Sequence, residues 1–149
     1  MLIVLKATQP CFSQGTLKIT TGTTFKAKNG PHIVVNDMNL KNNATIQQAT
    51  NDATFDFKGN TNDTISGTGN TIINTINLAK KAGSLLTLQR NISIVSQVIF
   101  AGGLLNLDNY IMDLSASGIL SNENELSRAY TTGSGYIQAT NNLNAPLLS

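Results

Sequence analysis

The sequence predicts an all-β chain wound as a single-stranded, right-handed parallel β-helix, a solenoid of about five irregular rungs. Three observations carry this expectation. Apolar and polar residues alternate with a period of two from Gly15 onward. Short Asn- and Gly-rich clusters punctuate the alternation, and both residues tolerate the left-handed backbone of a tight corner. Cuts near Gly15, Asp37, Asn60, Ser84 and Leu104 divide the chain into similar units of roughly 20 to 24 residues, the length of a solenoid turn. The alternative is an antiparallel β-sandwich or jelly roll, which would more often show longer strands joined by two-residue hairpins.

The alternation can be followed run by run. Leu17 and Ile19 flank Lys18, Phe25 and Ala27 flank Lys26, Phe55 and Phe57 flank Asp56, and Ile76 and Leu78 flank Asn77. The pattern recurs at Leu86-Thr87-Leu88, Ile92-Ser93-Ile94 and Leu105-Asn106-Leu107. Successive strand side chains face opposite sides, so each run offers one apolar and one polar face. Corners are expected at Asn29-Gly30, Asn42-Asn43, Asn51-Asp52, Gly59-Asn60 and Gly102-Gly103, where stacked amides could form ladders. Leu78 to Ala82 has room for one helical turn before Gly83 ends it.

Composition narrows the function. The chain has 149 residues and 40% hydrophobic content, enough for one domain with a core. Only 12% of residues are charged, about half the usual share, with Asn, Thr, Ser and Gln in their place. That balance is commoner in extracellular β-proteins than in cytosolic enzymes. The net charge of +2 is scattered, with Lys26/Lys28 and Lys80/Lys81 the nearest approach to a basic cluster, and aromatics reach only 5%. A nucleic-acid partner is therefore not expected. No apolar run is long enough for a membrane helix, so membrane insertion is not expected either. The single cysteine, Cys11, allows no internal disulfide and no thiolate metal site.

Three segments follow. Residues 1–14 read as a signal-peptide remnant or as a first strand from Leu2 to Ala7. Residues 15–120 hold the solenoid rungs. Residues 121–149 are less regular, with Glu123, Glu125 and Arg128 placed for a small ion-pair network and Thr131 to Gly135 forming a turn. No closing cap is evident in the sequence, which points to a chain truncated from something longer.

The stretches Gly67-Thr68-Gly69-Asn70-Thr71, Leu104 through Tyr110, Asn122-Glu123-Asn124-Glu125 through Arg128, Gly133 through Ile137, and Leu143-Asn144-Ala145-Pro146 carry a resemblance. The chain resembles the N-terminal β-solenoid region of large secreted surface proteins of Bacteroidota-type bacteria, substrates of type IX secretion. The resemblance implies a solenoid that precedes further domains and a sorting signal, of which this sequence shows nothing. It carries no catalytic residues into this chain.

The residues themselves offer few chemical sites. His32 is the only histidine, with no Gly-x-Ser-x-Gly nucleophile elbow to serve, and reads as an exposed or edge residue. Asp37, Asp52, Asp56, Asp63, Asp108 and Asp113 read as solvated surface carboxylates; glycosidase chemistry would need two of them at a fixed separation. Asp56 and Asp108 fall at outward positions where they could line a groove. Thr21-Gly22-Thr23 resembles the threonine pairs of ice-binding solenoids but does not repeat from unit to unit. Tyr110, Tyr130 and Tyr136 are the candidate glycan contacts. Thr64, within Asp63-Thr64-Ile65, is the candidate O-glycosylation site. No catalytic residue, metal site or cofactor is expected. The expected role is a non-catalytic structural or adhesin module, secreted or at the cell surface. Its partners would be the rest of a larger polypeptide and an extracellular glycan or host or matrix surface. The competing role is a polysaccharide-binding or polysaccharide-degrading β-helix.

Overall fold

The computed structural model describes residues 14–140. The expected leader or first strand before Gln14 and the closing Leu143 to Pro146 stretch lie outside these residues. Within them every element is a strand, and every pairing between strands is parallel. The antiparallel alternative is thereby overturned: the chain is a parallel β-helix.

The strands fall into six successive turns. The first comprises β1 (Gly15–Ile19), β2 (Thr24–Phe25) and β3 (His32–Asn36), and the second β4 (Met38–Asn42), β5 (Thr45–Gln47) and β6 (Thr54–Gly59). In the third, β7 (Asp63–Ser66) precedes β8 (Asn70–Lys80); in the fourth, β9 (Leu85–Leu88) precedes β10 (Ile92–Gly102). The fifth holds β11 (Leu104–Asn106), β12 (Ile111–Asp113) and β13 (Ile119–Ser121), and the last β14 (Ala129–Tyr130) and β15 (Tyr136–Gln138).

Stacking these turns builds three faces. The first is the ladder β1-β4-β7-β9-β11-β14. The second runs β2, β5, the first half of β8, the first half of β10, β12 and β15. The third runs β3, β6, then the second halves of β8 and β10, then β13. Partners such as Leu85↔Leu104 and Leu40↔Ile65 set the shortest and longest steps, 19 and 25 residues. The expected cut points fall within three residues of where β1, β4, β7, β9 and β11 begin. The sixth turn comes from the segment expected to be less regular.

The alternating apolar positions point inward, as their periodicity requires. Phe55, Phe57, Ile76, Leu78, Val98 and Phe100 are all buried on the third face, and Leu40, Ile65, Leu86, Leu88 and Leu105 on the first. Phe25 meets Phe55 edge to face with centroids 6.0 Å apart, a geometry that adds roughly 0.5–1.5 kcal/mol to simple burial. β8 and β10 each serve two faces and must bend between them. β10 does so with one extra residue, since Ile94 pairs Ile73 but Gln97 pairs Thr75. Residues 78–82 do not form a helical turn: β8 continues to Lys80, and Gly83 turns the chain at φ 84°.

At the expected corners Asn29, Gly30, Asn51, Gly59 and Gly103 adopt positive φ, and Asp37, Asp108 and Asn122 do so outside those corners. The amides do not stack on one another as identical ladders, however. Other asparagines, in the strands or beside the corners, accept main-chain N–H groups of the next turn through their side-chain oxygens. Asn39 takes Thr64 N at 2.9 Å, Asn62 takes Leu85 N at 2.9 Å, Asn91 takes Ile111 N at 2.9 Å, and Asn109 takes Ser134 N at 3.1 Å. A corner leaves main-chain donors outside the strand ladders, and buried or half-buried donors need partners. The short amide side chain supplies one without adding charge.

One corner is different. Lys80 and Asp63 both point inward, their side chains are 0% exposed, and Lys80 Nζ lies 2.5 Å from Asp63 Oδ2. Lys80 Nζ also donates to Lys58 O at 3.1 Å, and Asp63 Oδ1 accepts from Thr61 Oγ1 at 2.9 Å and from Gln14. Asp63 is therefore not the solvated carboxylate expected, and Lys80 does not belong to a surface basic cluster. A buried pair with every polar atom partnered holds three turns in one register, while a lone member would be a desolvated charge. Lys80→Met is expected to lower unfolding stability in urea by about 3–5 kcal/mol, with Lys80→Met/Asp63→Leu recovering most of the loss.

Candidate functional site

The ladder registers decide which outward residues meet. On the first face Lys18 pairs Lys41, and Lys41 pairs Ser66. The same row continues to Gln89, whose N–H donates to Ile65 O at 2.9 Å, and then to Asp108. Two residues further along each turn, past the bend into the second face, lies a parallel row with Asn43, Thr68 and Tyr110. Between these rows runs an open groove of about 610 Å3, lined by Lys41, Asn43, Ser66, Gly67, Thr68, Gln89, Asp108 and Tyr110. It crosses turns two to five along the solenoid axis, a span of ~14 Å at the usual strand spacing.

The floor of the groove depends on a backbone approach. Gly67 has φ 106°, and a Cβ there would stand 2.1 Å from Asn42 O and 2.8 Å from Asn42 N. Gly69 is equally close to Ala44 O, at 1.8 Å. The Gly67-Thr68-Gly69 corner thus lies directly on the Asn42-Asn43-Ala44 corner of the turn below. Asn42 fixes that lower corner: its Nδ2 donates to Asn70 O at 2.6 Å and Thr71 Oγ1 at 2.9 Å, and its Oδ1 accepts Ala44 N at 3.0 Å. Beyond the bend, half-buried Arg90 donates to Asn42 O and Asn91 O and opens onto a second cavity of about 280 Å3 with Ser93, Asp113 and Gln138. Burial lowers its pKa.

The other sequence candidates scatter. Tyr110 lines the groove and is partly buried against the core. Tyr130 sits on β14 of the first face and Tyr136 on β15 of the second, so the three tyrosines do not stack as one platform. Thr64 lies on β7 rather than in a turn; it is half-buried, and its Oγ1 donates to Asn39 Oδ1 at 3.0 Å. Glu123 and Arg128 do not pair: Glu123 accepts Ala129 N at 3.0 Å, and Arg128 donates to Glu125 O at 3.0 Å. Among the described residues no three His, Cys, Asp or Glu side chains gather as a metal site, and no helix is long and apolar enough to cross a membrane.

His32 and Asp56 do meet. They face outward on the third face, with His32 Nδ1 2.7 Å from Asp56 Oδ2, and Asn77 Nδ2 donates to Asp56 Oδ1 at 2.7 Å. The His32 side chain is 66% exposed, but Asp56 is 4% exposed, roofed by its neighbours. Asp52 is also buried, its Oδ2 accepting Ala49 N at 2.7 Å in a tight turn. Asp52, Asp56 and Asp63 are therefore structural rather than solvated surface carboxylates, because each is buried and hydrogen-bonded inside the fold: Asp52 within its own turn, Asp56 across turns, and Asp63 through Lys80 and Gln14. Asp37, at φ 52°, accepts Asn60 N, Thr61 N and Thr61 Oγ1 at 2.6, 2.8 and 3.0 Å.

Sequence reasoning reached Tyr110 and Asp108 and missed Lys41, Asn43, Ser66, Thr68 and Gln89. Their signal is positional. They come from three turns in two rows, and only the cross-turn register places them in one groove. No protein-family profile, curated protein or solved structure matches this chain.

Burial tends to raise the pKa of Asp56, but hydrogen bonds from Asn77 and His32 outweigh it and hold the carboxyl below its ordinary 3.8. A carboxyl depressed in the folded state contributes stability above the unfolded pKa, and that contribution is lost as pH falls through the folded value. Asp56→Asn is expected to be less stable than the parent chain near pH 6 in urea titration, the gap narrowing below about pH 4. Gly67→Ala is expected to cost about 1–3 kcal/mol, since both the backbone angle and the clash with Asn42 must be relieved. Thermal unfolding measures it, with a Thr68→Ala control unchanged to within ~0.5 kcal/mol.

Proposed function

We infer that the chain is a non-catalytic structural and adhesive module of a secreted cell-surface protein. The groove is the observation that carries this reading. Its lining of amides, hydroxyls, one phenol, one ammonium and one carboxylate is recognition chemistry: many hydrogen-bonding groups on a rigid frame with a single aromatic face. Hydrolysis of a glycosidic bond by the usual route takes two carboxylates astride the bond. The groove supplies Asp108, and Asp113 lines the neighbouring cavity beyond the bend.

The competing reading, a polysaccharide-handling β-helix, is favoured by the same groove in its binding form. A groove crossing four turns suits an extended chain better than a compact metabolite. Low charge, an Asn- and Thr-rich surface and a stack fastened by neutral amides support a place outside the cell, where the module would join a larger polypeptide to a glycan or matrix surface.

Fractionation of the source cells, with an antibody raised to this chain, is expected to place the product at the cell surface or in the medium. Purified chain incubated with plant and algal polysaccharides is expected to release no reducing ends. A cytoplasmic product, or steady release of reducing ends abolished by Asp108→Asn, overturns the reading.

A further inference from the structure

Lys18 and Lys41 stand directly opposite one another on β1 and β4. Like charges placed opposite on adjacent strands work against sheet stability. Both side chains are exposed, and neither belongs to an ion pair among the described residues, where the two pairs are His32–Asp56 and Lys80–Asp63. Folding therefore gives no reason for this pair. Its place does: Lys41 is the first residue of the groove, Lys18 extends the same row by one turn, and the row ends on Asp108, three turns beyond Lys41.

The groove thus has a basic end and an acidic end ~14 Å apart at ordinary strand spacing, with neutral hydrogen-bonding groups between them. Resting on the adhesive reading above, we propose that the groove binds an acidic polysaccharide, in one direction. The anionic group of one sugar sits over Lys18 and Lys41. The following sugars hydrogen-bond to Ser66, Thr68 and Gln89, and the last lies against the Tyr110 ring with its hydroxyls donating to Asp108. A neutral glycan leaves the lysine pair uncompensated. A uniformly charged polyanion sets like charge against Asp108. A chain whose acidic sugars are spaced by neutral ones satisfies both ends. Carboxylated and sulfated sugars offer the same chemistry to the lysines, so the experiment separates them.

Affinity electrophoresis of the full chain is run through gels holding a pectin of mixed uronic and neutral sugars, a sulfated galactan, a neutral galactan, or single-stranded DNA. Retardation is expected in the pectin or the sulfated galactan, and whichever retards more names the anion. The affinity is expected to fall about five- to tenfold for Lys18→Ala or Lys41→Ala and for Tyr110→Ala. It should weaken as salt rises, and Lys26→Ala, an exposed lysine outside the groove, should leave it unchanged. Equal retardation by neutral galactan with no lysine effect overturns the acidic preference while leaving the adhesive reading standing. Stronger retardation by DNA overturns the glycan, and no retardation in any gel overturns the site. Circular dichroism of each variant separates lost contact from lost fold.

Discussion

Hydrogen bonding along the solenoid axis is the constraint on which the rest of this molecule depends. Its strands are as short as two residues, and each pairs with strands about a turn away in sequence. No turn can bury its apolar face alone, so the core of Phe, Ile and Leu exists only once neighbours are stacked at the right register. A slip by one residue in any turn would turn its apolar set outward. Register is therefore what the sequence must defend, and the side chains that defend it sit at the corners.

Two devices do so. Asn side chains accept main-chain N–H groups of the next turn, which joins successive corners while leaving the surface uncharged. Asn74 also links turns deeper in, donating to Asp52 O below and accepting from the Ser96 hydroxyl above at the bend between the second and third faces. The Lys80–Asp63 pair is the charged version, and it reaches Lys58 and Gln14 as well. An amide tolerates a misplaced neighbour at modest cost, whereas a buried ion left alone does not. The ionic corner is the more discriminating of the two.

The groove is a product of the same stacking. Its width is set by the two-residue spacing between outward rows, and its depth by the close approach of Gly67 and Gly69 to the corner below. Because the wall residues sit on a fastened ladder, a ligand bound there would require little reordering of them, which lowers the entropic cost of recognition. The groove's charge gradient likewise follows from register, since Lys18, Lys41 and Asp108 are far apart in sequence and fall in one row.

What the sequence determined by itself was the local grammar. Period-two alternation assigned Leu17, Phe55, Phe57, Ile76, Leu88 and Leu105 to the inside, and Asn- and Gly-rich corners marked the turn length. Both are properties of a residue and its immediate neighbours. What only the tertiary structure decided was which turns lie side by side and at which offset. With steps varying between 19 and 25 residues, no fixed repeat in the sequence reveals that Asp56 meets His32 or that Lys18 faces Lys41, and Asp63 meets Lys80 only when the third turn closes on itself. Those contacts turn expected surface carboxylates into buried fasteners and scattered polar residues into one groove. Cross-turn register is a collective property of the stack, and it comes into being only when the whole coil closes on its core.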